Sequence, residues 1–493
     1  MKRWYLVCAL FFLLYVLFPT QNSTLDAWAY AGDVRHGIDL FHPHHLLFSA
    51  ASRLFYPDDP LAVDVLARQK IIQACLASFC LWILGRILQG FEQDEKRIAA
   101  WLLLVGSSFG VMRFATENEV YLWPILWSLL GTWAFIHYVQ TDRQTYIWLS
   151  SLVMALACLF HQIHCIWWLA IFLAFFLHRR QAFFPYVLPA FLIPLTYLAV
   201  LGGYLGQDIS SETILRFILR DFYQGTAEAS PGLQAFLLTP INLFRTFVQI
   251  HGIVFKLLTE HWLYVLPAVG AASLGLWGLR LLPQIRKQPA PPHLAIRRGL
   301  LGISLGHLAL ATWAAGNAEF MVMLPFVFVL YLATKWIFPT SMIYRLGFCL
   351  LIWNFTFGLF PLWQYDYYHD AAMVDFVQTH PDAHYILTER NIINNQLYYR
   401  TGKDWNDQFI SAYKAPQPVV DSLLQMEWIV YSNTLDQPQL FSRAMLAGEI
   451  HTKTDRFDCF QPTSVDTIKA FVGKYHIWQL SVPCSSSSPP KKE

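Results

Sequence analysis

The sequence predicts an all-α polytopic membrane protein of about eleven transmembrane helices, followed by a small α/β extracytoplasmic C-terminal domain. Three observations carry this expectation. Of 493 residues, 55% are hydrophobic and only 14% charged, too few polar groups to clothe so long a chain in water. Apolar runs recur at about 20 residues, the length that crosses about 30 Å of hydrocarbon at 1.5 Å per residue. Lys and Arg concentrate in alternate connections between those runs.

The first element is the apolar run Trp4–Phe18 behind Met1–Lys2–Arg3. It resembles a signal peptide, but Pro19–Ser23 holds no small-x-small cleavage pattern, so it reads as an uncleaved helix anchored in the cytoplasm by Lys2 and Arg3. The spans expected after it are 71–90, 98–115, 120–139, 147–162, 164–178, 183–203, 261–282, 299–316, 319–335 and 342–362. Segment 237–258 is apolar but carries Asn242, Arg245, Gln249, His251 and Lys256, which suits an interfacial or a twelfth helix.

Alternation puts Lys96/Arg97, Arg143, Arg179/Arg180, the group from Arg280 to Arg298, and Lys335/Arg345 on the cytoplasmic side. The opposite connections 161–164 and 316–319 contain no Lys or Arg. An odd number of spans places the tail outside. The expected domains are therefore a transmembrane domain over 1–363 with outer loops 19–70 and 204–260, a soluble domain over 364–484, and a disordered end over 485–493. The expected location is a plasma (inner) membrane.

In the tail, strand-like runs (His384–Leu387, Trp428–Tyr431, Tyr475–Val482) alternate with helical patterns at Ala371–Thr379 and Val419–Gln425. Six cysteines lie in or beside apolar segments; Cys459 and Cys484 sit in the tail, where an extracytoplasmic location would permit a disulfide. A net charge of +2 gives no field for nucleic acid.

The first outer loop is the richest polar stretch, running from Thr24 through Asp26, Trp28, Tyr30, Asp33, Arg35, His36 and Asp39 to His42-Pro-His44-His45. If helical, it sets Asp26, Tyr30 and Asp33 on one face. A carboxylate among aromatics at the membrane surface suits a general base acting on a hydroxyl acceptor. His44 and His45 are candidates for hydrogen bonding to a phosphate or acceptor. Adjacent histidines without acids at ligand spacing do not make a metal site, so no metal ligand is assigned. The second outer turn, Arg113-Phe-Ala-Thr-Glu117-Asn-Glu119-Val-Tyr121, brings two carboxylates to a helix end. Arg113 and Glu117, at i,i+4, are spaced to neutralise each other. His161 and His164 flank a very short turn, and Glu319 opens a later span, where a helix dipole favours an acid.

The motifs Asp26-Ala-Trp28-Ala-Tyr30, His42-Pro-His44-His45-Leu, Glu117-Asn-Glu119-Val-Tyr121, His161 to His164 and Glu319-Phe-Met-Val-Met-Leu-Pro325 together resemble the C-type glycosyltransferases. The closer likeness is to their bacterial protein-mannosyltransferase-like and aminoarabinose-transferase-like branch. The resemblance spans most of residues 1–360 and reaches the tail only loosely. It implies Asp26 as base or acceptor-orienting acid, and Glu117 or Glu119 near the donor phosphate or a metal. The sequence departs from the family in its Glu-Asn-Glu turn, its His-rich first loop and the lack of an Arg pair for the donor phosphate.

The activity so implied is inverting transfer of a sugar from a polyprenyl-phosphate donor to a glycan, lipid or protein acceptor on the extracytoplasmic face. Asp26 and Glu119 are the catalytic candidates. Asp33, His44, His45, Arg113, Glu117, Tyr121, His161, His164 and Glu319 are the donor and substrate candidates. No cofactor is certain, and a divalent cation at Glu119 is the one the acids would accept. Two rivals stand beside this reading: a flippase or transporter, and a non-catalytic envelope assembly protein. A transporter would place ionisable residues at mid-membrane, whereas the charges here gather at span ends.

Reporter fusions test the topology. Fusions after residue 363 are expected outside and those near residues 142, 180 and 290 inside. A cytoplasmic tail would mean that segment 237–258 crosses the membrane.

Overall fold

The computed structural model describes residues 2–56, 59–91, 93–223, 232–289, 293–411, 428–434 and 461–481. They form two compact units: one of residues 1–20, 37–250 and 254–361, the other of residues 21–36, 251–253 and 362–493.

The first unit is helical. Among the described residues six helices are long and apolar enough to cross a membrane: Val65–Gly90, Leu122–Thr141, Arg180–Tyr204, Trp262–Gln284, Leu294–Trp313 and Thr340–Gln364. Shorter apolar helices cover Arg3–Leu17, Thr145–Phe160 and Gln162–His178. This is a multi-pass membrane protein. In Trp262–Gln284, Leu266, Val269, Leu276 and Trp277 are all exposed, an apolar surface whose natural solvent is lipid.

Packing runs through small residues. Arg3–Leu17 buries Trp4, Cys8, Phe11 and Tyr15 along one stripe and exposes Leu6, Leu10, Leu13 and Leu17 on the other. A Cβ at Gly85 would stand 2.7 Å from the Trp4 ring, and one at Gly106 would stand 2.6 Å from Phe11. Glycine here lets helices approach where lipid offers no hydrophobic drive.

Two expected spans, and the segment 237–258 left as interfacial or spanning, differ in detail. The run 98–115 is two helices, Glu95–Gly106 and Phe109–Ala115, bent by 71°. Ser107 and Ser108 mark the break, and the Ser108 hydroxyl donates to the Leu104 carbonyl at 3.0 Å, a local bond that competes with the helix ladder. Segment 237–258 is also interrupted, into Leu233–Phe247 and Ile253–Glu260, so neither piece has the length to span. Within 319–335 only Leu324–Lys335 is α-helical, after a single 3₁₀ turn at Glu319–Met321. A two-residue ladder joins β1 (Arg286–Lys287) to β2 (Trp336–Ile337).

Asn354 fixes the bend. It is fully buried, its Oδ1 accepts the Gln249 N–H at 2.8 Å, and its Nδ2 donates to the carbonyls of Ser107 and Phe247 at 2.7 Å each. One side chain thus satisfies backbone groups that two helix ends leave open.

The second unit holds the helix Leu25–His36 and the tail. Its sheet is β3 (His384–Leu387), β4 (Phe409–Ser411), β5 (Val430–Ser432), β6 (Gln461–Lys469) and β7 (Lys474–Ser481), in the order β4-β3-β5-β7-β6. The pairs β3–β4 and β3–β5 are parallel; β5–β7 and β6–β7 are antiparallel. Asp370–Thr379 and Arg390–Thr401 pack on it around Met373, Val374, Val377, Ile393 and Leu397. The α/β character of the tail is as expected. The expected helix Val419–Gln425, Cys459 and Cys484 lie outside the described residues. Leu25–His36 lies on Arg390–Thr401: a Cβ at Gly32 would meet the Tyr398 ring at 2.6 Å, and Asn395 Nδ2 donates to the Leu25 carbonyl at 2.9 Å.

Replacing Asn354 by Leu keeps bulk but strands buried backbone groups, each costing about 1–3 kcal/mol. The expected result is a clear fall in thermal midpoint of the detergent-solubilised protein; an unchanged midpoint would remove Asn354 from this role.

Candidate functional site

The turn over residues 116–119 is buried. Thr116, Glu117, Asn118 and Glu119 are all shut from solvent, with Glu117 at 0% exposure. An ionised carboxylate there requires a partner. Arg113, on the short helix behind the Ser107–Ser108 bend, reaches Glu117 Oε2 with Nη2 at 3.1 Å, and the Asn118 N–H donates to Glu117 Oε1 at 2.9 Å. The i,i+4 pair expected from spacing is therefore formed.

A further cation joins it. Lys70 is 8% exposed near the start of Val65–Gly90, donates from Nζ to the Thr20 carbonyl at 2.7 Å, and interacts electrostatically with both Glu117 and Arg113. Gln73, one turn on and fully buried, donates to the Glu119 carbonyl at 2.7 Å. Lys70 and Arg113 thus face Glu117 together, and Asp64 also acts on Lys70. Sequence reasoning passed over Lys70 as the flank of a span. The available signal was its neighbourhood: Gln69, Lys70 and Gln73 put buried polar groups on an otherwise apolar helix.

Tyr121 follows the turn, and its hydroxyl donates to Glu319 Oε2 at 2.8 Å. Glu319 is held by its own loop: its N–H donates to Asn317 Oδ1 at 3.0 Å, after a left-handed Gly316 (φ 74°) where a Cβ would lie 2.9 Å from Leu238 backbone. The Tyr121 ring lies 5.3 Å from that of His161, which is 6.3 Å from His45. Glu319, Tyr121, His161 and His45 are thus successive neighbours, drawn from four separate stretches of chain.

The His-rich segment is docked rather than splayed. The Pro43 carbonyl accepts from Gln162 Nε2 at 2.9 Å, and the Leu47 N–H donates to the Leu159 carbonyl at 3.1 Å. His42 and His45 stack at 4.5 Å with 14° between planes, and His42 and His44 are 5.8 Å apart. Burial, and then His42, His161 and His44, hold the His45 imidazole well below its ordinary range, so it is neutral at pH 7. Among the described residues no group of three or more His, Cys, Asp or Glu could hold a metal ion.

His164 turns away from this group into the helices. Its Nδ1 shares a 2.7 Å hydrogen bond with the Ser128 hydroxyl, and its ring lies 5.7 Å from His307, a fully buried residue that the sequence reading did not select.

Asp26 and Asp33 belong to the second unit. Both stand on the helix Leu25–His36, with Asp26 in its first turn and Asp33 accepting from the Tyr398 hydroxyl at 3.1 Å. Trp28 meets Tyr399 edge-on at 5.2 Å, and Arg35 lies over the Tyr399 ring at 4.8 Å.

No protein-family model and no curated protein matches the chain. Among solved structures it is similar to the Archaeoglobus fulgidus oligosaccharyltransferase in complex with Zn and sulfate, at 12% identity and a TM-score of 0.45, over 87% of this chain and 68% of that one. It is similar to the oligosaccharyltransferase AglB from the same organism, in complex with an inhibitory peptide and a dolichol-phosphate, at 10% identity and a TM-score of 0.43, over 99% and 75% of the two chains. A third is ArnT from Cupriavidus metallidurans in the apo state, at 10% identity and a TM-score of 0.41, over 96% and 97%.

Proposed function

We propose that the protein is an inverting membrane glycosyltransferase that moves a sugar from a polyprenyl-phosphate donor to a glycan, lipid or protein acceptor on the extracytoplasmic face. The observation that carries this is the buried Lys70–Arg113–Glu117 group. Desolvated cations are costly to maintain, and two of them side by side among apolar helices suit the phosphate of a lipid that enters from the bilayer. Charge-assisted hydrogen bonds to phosphate are the strong ones.

The step balances with few parts. The acceptor oxygen forms a bond to the anomeric carbon as the bond from that carbon to the phosphate oxygen breaks. Polyprenyl phosphate leaves with the electron pair and the added negative charge, which Lys70 and Arg113 stabilise. Asp26 takes the acceptor's hydroxyl proton. Glu119 orients or supports the donor, and Tyr121 with Glu319, His161, His44 and His45 lines the polar end of its path. His164 holds a helix turn in place beside them. Asp33, bound to Tyr398, keeps Asp26's helix in register.

Two substitutions separate binding from turnover. Asp26→Asn should bind donor normally while transferring radiolabelled sugar into membrane fractions at least about a hundredfold more slowly. Lys70→Met should weaken donor binding about tenfold or more, since one charged hydrogen bond contributes about 1.5–3 kcal/mol. Full transfer by Asp26→Asn would move the base to another acid, and unchanged donor affinity in Lys70→Met would sink the phosphate assignment.

A further inference from the structure

The tail contains a second group of converging polar residues that the transfer chemistry does not use. Its position follows from topology. From β3 the chain passes to β4 on one side, and β5 then lies on the other side of β3, all three parallel. Strand order thus reverses between β3 and β5. In open α/β sheets the carboxyl ends of the strands at such a reversal diverge, and ligands bind in the crevice that results.

The residues at those ends are polar and tightly specified. The Thr388 N–H, just after β3, donates to Asn433 Oδ1, just after β5, at 3.3 Å. That bond fixes the Asn433 amide, so its Nδ2 donates to His369 Nε2 at 2.7 Å. Burial pushes the His369 imidazole down to about 4, so it is neutral at pH 7, and with Nε2 accepting, its one proton sits on Nδ1. His369 is 3% exposed, and this Nδ1–H has no hydrogen-bond partner among the described residues. The imidazole lies face to face on Tyr475, centroids 3.9 Å apart and 10° between planes.

Tyr475 in turn interacts with Asp370, Asp366 and Glu389. Asp370 Oδ1 is shut from solvent without a hydrogen-bond partner among the described residues. Burial, then Glu389, then Asp366, push the Asp370 carboxyl up to about 7, so near neutral pH it both donates and accepts.

Each feature narrows the ligand. Three carboxylates repel phosphate and other anions. The described residues offer no metal-holding geometry. A buried N–H beside an unsatisfied carboxyl oxygen matches a hydroxyl, which donates and accepts at once. A paired donor and acceptor match vicinal hydroxyls on a sugar ring.

We propose that the C-terminal unit carries a carbohydrate-binding site at the carboxyl ends of β3 and β5, built from His369, Asp370, Glu389 and Tyr475 and braced by Thr388 and Asn433, for a neutral or amino-substituted sugar. It deepens the transferase reading by naming a glycan as what the tail holds, but sugar binding itself requires no transfer.

The test uses the full chain in lipid nanodiscs on an array of neutral and amino-sugar oligosaccharides. Wild type should retain a subset of glycans, and Asp370→Ala and Glu389→Gln should each lower that retention at least about tenfold with unchanged thermal midpoints. No retained glycan, or equal retention by both variants, overturns the site. Polyprenyl-phosphate binding by the same nanodiscs separates the two readings. Lipid bound without glycan defeats only the sugar site; glycan bound without lipid defeats only the transferase.

Discussion

Charge buried in an apolar bundle needs opposite charge beside it, and the first unit is arranged around that requirement. Removing one partner of a buried ion pair costs about 3–5 kcal/mol, because the other is left uncompensated. Glu117, at 0% exposure, has Arg113 on one side and the Asn118 N–H on the other, with Lys70 close by. Meeting that need takes several other features. The 71° bend at Ser107–Ser108 redirects Phe109–Ala115, the helix that carries Arg113. Asn354 holds the bend, and the Thr20 carbonyl holds Lys70.

The same constraint explains why such a site is useful. Ion pairs at a protein surface are screened and weak, whereas a desolvated cation acts strongly on a phosphate brought to it. Within this unit Tyr121 and Glu319, 198 residues apart in sequence, share a hydrogen bond that a solvated loop would not maintain.

Much of this was legible in the sequence. Long apolar helices are encoded in composition, and six of the expected spans appear as such. The Arg113–Glu117 pair is encoded in i,i+4 spacing, and the helix over Asp26, Tyr30 and Asp33 in its own periodicity. What was not legible depends on distant chain. The break at Ser107–Ser108 has only the two serines as a local sign, and Asn354, which stabilises it, lies more than 200 residues on. Arg390–Thr401 is rich in Asn and aromatic residues, poor helix formers, and is held by burying Ile393 and Leu397 against the sheet. Lys70 looked like the flank of a span because a buried and a snorkelling lysine read alike in sequence.

The central claim is that Lys70 and Arg113 hold a lipid phosphate. Mass spectrometry of the protein purified in mild detergent tests it most directly. The account predicts polyprenyl phosphate, free or sugar-linked, copurifying at near-equimolar amounts and lost from a folded Lys70→Met/Arg113→Leu double variant. Absence of any polyprenyl phosphate from the wild type, or equal retention by the double variant, would contradict it.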